Sequence, residues 1–129
     1  MRTGKNSTIP LYLTMLLLHM GHVFEEIWGR FWIINTFYGL GGFLVANWVL
    51  LCISVVIFYY YLQRQHWAVI MSLVYAAVMI INGFGHNLAT LVTGKYFEGY
   101  AGGYTGVGLM LVGLFLIYNI FKELKIPGG

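Results

Sequence analysis

Residues 9–28 read IPLYLTMLLLHMGHVFEEIW, and inside this apolar run stand His19, His22, Glu25 and Glu26. Such a run, at about 1.5 Å per residue, is long enough for a helix to cross the hydrocarbon of a bilayer. A charged side chain at that depth costs from about 3 to more than 10 kcal/mol, so ionisable groups there face a bundle interior and mark a site. At about 100° per residue, His19, His22 and Glu26 share one narrow helical face. Glu25 adjoins His22 at i,i+3. Four metal-competent side chains on one face of a membrane helix make this stretch the candidate site.

The composition agrees. The chain has 129 residues, 60% of them hydrophobic and 9% charged, with a mean hydropathy of +0.78. Soluble domains carry about a quarter charged residues, so this chain belongs in a membrane, and its length suits a single domain over residues 1–129. A net charge of +3 does not point to nucleic acid, because the seven Lys and Arg are spread singly between apolar segments. The only cysteine, Cys52, excludes an internal disulfide and reads as a small buried thiol inside a span.

Four segments are long enough to span: about 9–28, 43–62, 67–94 and 104–121. The expected fold is an all-α, four-helix transmembrane bundle. Arg2 and Lys5 before the first segment imitate a signal peptide, but the run is too long and ends in Glu25-Glu26 without a small-residue cleavage site, so it reads as a permanent helix. Arg2, Lys5, Arg64, Lys122 and Lys125 fall on one side, Arg30 and Lys95 on the other. This bias places both termini in the cytoplasm. Tyr59–Tyr61 and Trp67 would mark the inner interface, and Trp28, Trp32, Tyr96, Phe97 and Tyr100 the outer one.

Two stretches fit neither a span nor a simple turn. Residues 30–42 (RFWIINTFYGLGG) could lie in the outer interface or dip back as a re-entrant segment. Residues 94–105 (GKYFEGYAGGYT) form a glycine- and tyrosine-rich outer loop. The Gly99/Gly103 and Gly102/Gly106 spacings there read as close backbone approach or turn geometry rather than a dimer motif.

Depth brings distant residues together. His22, Glu25 and Glu26 lie in the outer half of the first segment, and Asn82, His86 and Asn87 come at similar height on the third. The outer loop adds Glu98 and Tyr100. Neutral imidazoles and carboxylates bind Zn²⁺, Fe²⁺ or Mn²⁺. His22, Glu25, Glu26 and His86 are therefore candidate ligands for a divalent metal, with His19 added by its spacing. Three ligands and an open position would make a catalytic centre. The spare glutamate would act as general base on a bound water, with His22 also in the catalytic set, while Asn82, Asn87, Glu98 and Tyr100 would orient substrate.

A plainer reading stands beside this one. The same histidines and glutamates could hydrogen-bond to one another and stitch two helices without binding anything. His66 reads as interfacial, and Asn47 and Asn119 as interhelical hydrogen-bonding residues. There is no P-loop, dinucleotide fingerprint or nucleophile elbow, and no Asp at all, which disfavours Ser/His/Asp catalysis and Asp-rich diphosphate binding.

His22-Val-Phe-Glu25-Glu26 resembles the motif that names the HXXEE family of small, multi-spanning membrane proteins. A further histidine of that family is matched by His86 in Asn82-Gly-Phe-Gly-His86-Asn87. Its Tyr-x-Pro-Gly motif corresponds to Tyr100-Ala101-Gly102-Gly103, where glycine replaces proline. The resemblance extends from the first segment to the start of the fourth. It implies that His22, Glu25, Glu26 and His86 belong together, and it brings no activity with it. His19 is not part of the family's mark.

The expectation is an integral, multi-pass protein of a bacterial inner membrane or its equivalent. It would be a metal-dependent, or metal-free Glu/His acid–base, hydrolase or isomerase acting on a lipid-like or isoprenoid-like molecule. A metal- or proton-binding or transport module, and an accessory subunit of a membrane complex, are the alternatives from other classes. Its partners would be the lipid bilayer, a lipid-like small molecule and further copies of itself, with no nucleic acid. The first and third segments read as apolar from the site inward to Lys5 and Trp67, which speaks against a transport path.

Overall fold

The computed structural model describes residues 7–36, 39–96 and 99–125. It consists of the helices α1 (Thr8–Trp28), α2 (Trp32–Thr36), α3 (Gly39–Leu62), α4 (His66–Thr93) and α5 (Gly103–Leu124), with no strand among the described residues. α3, α4 and α5 are each long and apolar enough to cross a membrane. α1, with 21 residues, matches them in length but carries the two glutamates and two histidines that lower its apolar content.

Local signals set the helix ends. Pro10 sits in the first turn of α1, where the missing N–H has no helical partner to lose. Between α3 and α4 the chain turns within Gln63–Gln65, with Arg64 in the left-handed region at φ 57°; its N–H bonds the Tyr61 carbonyl at 2.9 Å. α4 stops at Gly94, whose φ of 65° lets its N–H reach the Thr90 carbonyl. The long helices therefore run up, down, up and down. Tyr61 at the end of α3 and Glu123 near the end of α5 both lie beside Thr8 at the start of α1.

α4 packs most extensively on α5, α1 lies on α5, and α3 closes against α4 and α1. The core is built from Tyr12, Met15, Tyr75, Ala76, Met79, Leu109 and Leu116. Gly83 and Gly106 set the α4–α5 approach: a Cβ on Gly83 would stand 2.2 Å from the Gly106 carbonyl oxygen. The exterior is the apolar side, with Val45, Trp48, Ile81, Leu91, Leu114 and Phe115 among many exposed. The polar side chains Thr8, His19, His22, Glu26, Ser54, Ser72 and His86 are buried. A water-soluble chain would not expose so much apolar surface, whereas a bilayer receives it.

Several expectations are refined here. α3 begins at Gly39 rather than 43, and α2 occupies part of the 30–42 segment, with Ile34 buried. The Trp32 N–H bonds the Gly99 carbonyl at 3.1 Å, which fastens this segment to the loop before α5. Cys52 is exposed on α3, not buried, because its position falls on the outward face of a helix apolar all round. Tyr61 turns inward instead of joining an interfacial belt. Arg2, Lys5 and Phe97 lie outside the described residues.

Candidate functional site

Glu26 stands one turn above His22 on α1, and His86 faces both from α4. Glu26 Oε1 is 3.0 Å from His86 Nε2 and 3.5 Å from His22 Nε2. One ligand atom from each of the three residues lies within 4.8 Å of the other two, and all three residues are buried. In a tetrahedral centre with bonds of about 2.0–2.1 Å, neighbouring ligand atoms sit about 3.3 Å apart. The group is close to that size and could hold a metal ion once its ligand atoms adjust, and among the described residues no other group of three or more histidine, cysteine and acidic side chains meets the same condition.

Both imidazoles are held from behind. His22 Nδ1 is 2.8 Å from the Thr105 hydroxyl, and that hydroxyl donates its proton to Glu25. Thr105 Oγ1 must then accept from the Nδ1–H of His22, which turns the Nε2 lone pair toward Glu26. The Asn82 amide nitrogen lies 2.9 Å from the same Nε2. The His86 ring packs against Phe31 at 4.6 Å and meets the His22 ring edge-on at 4.8 Å.

Glu25 and Glu26 take different places although they are adjacent in sequence. Glu25 accepts from the backbone N–H groups of Tyr104 and Thr105, at 3.0 and 2.8 Å, and from the hydroxyls of Thr105 and Tyr96. Those two N–H groups belong to the first turn of α5 and have no partner within the helix. A carboxylate there also meets the positive end of the helix dipole. Burial and the neighbouring Glu25 carboxylate push the Tyr96 phenol above its ordinary pKa. Glu25 thus anchors α5 and, through Thr105, orients His22.

The other sequence-derived candidates are distributed around this core. His19 is buried one turn closer to Thr8, and the structure does not bring it into the three-residue group, because its Nδ1 pairs with the Tyr75 hydroxyl at 3.1 Å. Asn87 donates to the carbonyls of Gly83 and Gly103, at 2.8 and 3.1 Å, and ties α4 to the start of α5. Among the described residues Tyr100 makes no hydrogen bond to the group, and Glu98 lies outside them. Thr105, Phe31 and Tyr96 are the neighbours that sequence reasoning missed. Thr105 carried one usable signal, a hydroxyl two residues into a helix that follows a glycine pair.

A groove of about 580 Å³ runs beside Glu25, lined by Gly21, Phe24, Trp28, Tyr96, Tyr104 and Thr105 among others. It is apolar along α1 and polar only where Glu25 meets Thr105. No protein family, no curated protein and no solved structure matches the chain.

Proposed function

We propose that the protein is a small integral membrane enzyme in which His22, Glu26 and His86 hold a divalent metal and act on a lipid-like or isoprenoid-like substrate. The observation that carries this reading is the facing of two imidazole nitrogens and one carboxylate oxygen in a buried space, with His22 oriented from behind by Thr105 and Glu25. Two histidines and one carboxylate are the donors of catalytic zinc sites and of non-haem iron sites, and both leave positions open. A metal so held supplies a Lewis acid for a carbonyl or phosphoryl oxygen. Glu25, with four donors on its oxygens, would serve as the support of His22 rather than as the base. The groove beside Glu25 supplies an apolar berth that reaches Thr105, which favours a substrate with a hydrocarbon tail.

The protein would cross a bacterial inner membrane or its equivalent four times, with α1 as the fourth span and both termini cytoplasmic. α1 would cross because its polar face is turned to the other helices and its remaining surface is apolar, with Leu13, Leu17 and Phe24 exposed.

The contact between the Asn82 amide and His22 Nε2 favours a second reading, a metal-free acid–base pair, because it satisfies the lone pair that a metal would take. Elemental analysis of the purified protein separates the two. The metal reading expects one zinc, iron or manganese per chain, lost in His22→Ala and in His86→Ala and kept in His66→Ala. A wild type that contains no metal and takes up none when it is added overturns it. Incubation of the loaded protein with a detergent-dispersed lipid extract, with products read by mass spectrometry and Glu26→Gln as the blank, tests the substrate class.

A further inference from the structure

The half of the bundle below the three-residue group is not apolar, as the sequence suggests, but threaded by buried polar side chains. On α1 the polar inward positions are Thr8, Tyr12, His19 and His22, with the buried Met15 and Leu16 between Tyr12 and His19. Other helices meet them with polar partners. Tyr75 on α4 pairs with His19 at 3.1 Å. Tyr12 lies 3.2 Å from the Ser72 hydroxyl. Tyr61 donates to Glu123 at 2.9 Å, and Thr8 donates to the other oxygen of the same carboxylate. The Tyr12 ring stands between those of Tyr75 and Tyr61, at 6.1 and 5.8 Å between centroids. His19, itself buried, and Asn47 line a groove of about 170 Å³ between α1 and α3, and Glu123 is half-buried at the Thr8 end.

We infer that His19, Tyr75, Tyr12, Tyr61 and Glu123 form a proton-transfer path from the α1–α3 groove to the Thr8 end of the bundle. Polar groups inside a membrane bundle are costly, and one or two pairs suffice to fasten helices. Here they recur from Thr8 to His22 on α1, with Tyr75 of α4 bridging the level of Met15 and Leu16, and every member of the path can both accept and donate a proton. A proton arriving on one nitrogen of His19 releases the proton of the other nitrogen to the Tyr75 hydroxyl. The hydroxyls of Tyr12 and Tyr61 repeat the exchange, and Glu123 releases a proton at the far end. Only N–H and O–H bonds form and break, one proton enters as one leaves, and no oxidant or reductant takes part. No direct hydrogen bond joins the hydroxyls of Tyr75, Tyr12 and Tyr61, so each of these two steps needs one bridging water. The path includes none of the three proposed metal ligands.

The test uses the full chain in vesicles of phosphatidylethanolamine and phosphatidylglycerol that enclose a pH-sensitive dye, with valinomycin and potassium supplying the potential. Wild-type vesicles are expected to change internal pH faster than protein-free vesicles. Tyr12→Phe keeps the ring and removes only the hydroxyl, and it is expected to abolish the excess flux, as is Glu123→Gln. Tyr75→Phe replaces Tyr12→Phe if the latter fails to give helical, monodisperse protein. His66→Ala, on an exposed residue outside the path, is expected to leave the flux unchanged. Wild-type vesicles no faster than protein-free ones, or a flux unchanged in well-folded Tyr12→Phe and Glu123→Gln, would overturn the path. Metal content measured on the same samples reports separately on the three-residue group.

Discussion

The Cβ that Gly102 lacks would stand 2.6 Å from Nδ1 of His86. The residue before α5 therefore leaves open the space in which a ring from α4 lies, and its φ of 129° is itself a region that L side chains rarely adopt. The position of His86 depends on a missing side chain as much as on Glu26 and Phe31.

Gly102→Ala should accordingly displace His86 and lower stability by about 2 kcal/mol or more, from backbone strain and overpacking together. Thermal melting in detergent would register the loss, and bound metal should fall with it. Gly41→Ala, where an added Cβ meets nothing within 4 Å, should do neither.

Thr105→Val keeps the shape and removes the hydroxyl that links His22 to Glu25. Outer hydrogen-bond partners of this kind are worth about 10–100-fold in metal affinity. Competition with a chelator should show that weakening in Thr105→Val and near-recovery in Thr105→Ser.

The two glutamates should separate in experiment as they do in space. Glu26→Gln removes a ligand and should abolish stoichiometric metal while leaving the fold melting close to the wild type. Glu25→Gln weakens the charged hydrogen bonds at the start of α5, at about 1–3 kcal/mol, and should lower the melting temperature while metal remains at stoichiometry. Equal effects of the two substitutions on metal content would contradict the division of roles.

The sidedness inferred from the basic residues has its own check. A reporter fused after Pro127 should read cytoplasmic and one inserted near Glu98 should read external. The opposite pattern would invert the bundle and place the His22–Glu26–His86 group in the inner leaflet.

Composition and apolar run length determined the class of this protein, an all-helical chain with spans near residues 43–62, 67–94 and 104–121, because burial in lipid demands long stretches of one character. Spacing on one helix also placed His22 beside Glu26, and matching depth placed His86 opposite them, since rise per residue is nearly constant in a helix. What spacing could not distinguish was Glu25 from Glu26. Both lie in the site end of α1, and only the arrival of α5, with its unpaired N–H groups at Tyr104 and Thr105, drew one carboxylate away and left the other to the histidines. His19 was drawn off in the same manner by Tyr75, a residue 56 positions along the chain that reads as ordinary membrane filling until the helices pack. The buried polar line from His19 to Glu123 was hidden because its members come from α1, α3, α4 and α5. Each contributes one or two hydroxyl, imidazole or carboxyl groups to an apolar segment, and only helix packing turns them toward a common interior, where unpaired polar groups must find one another.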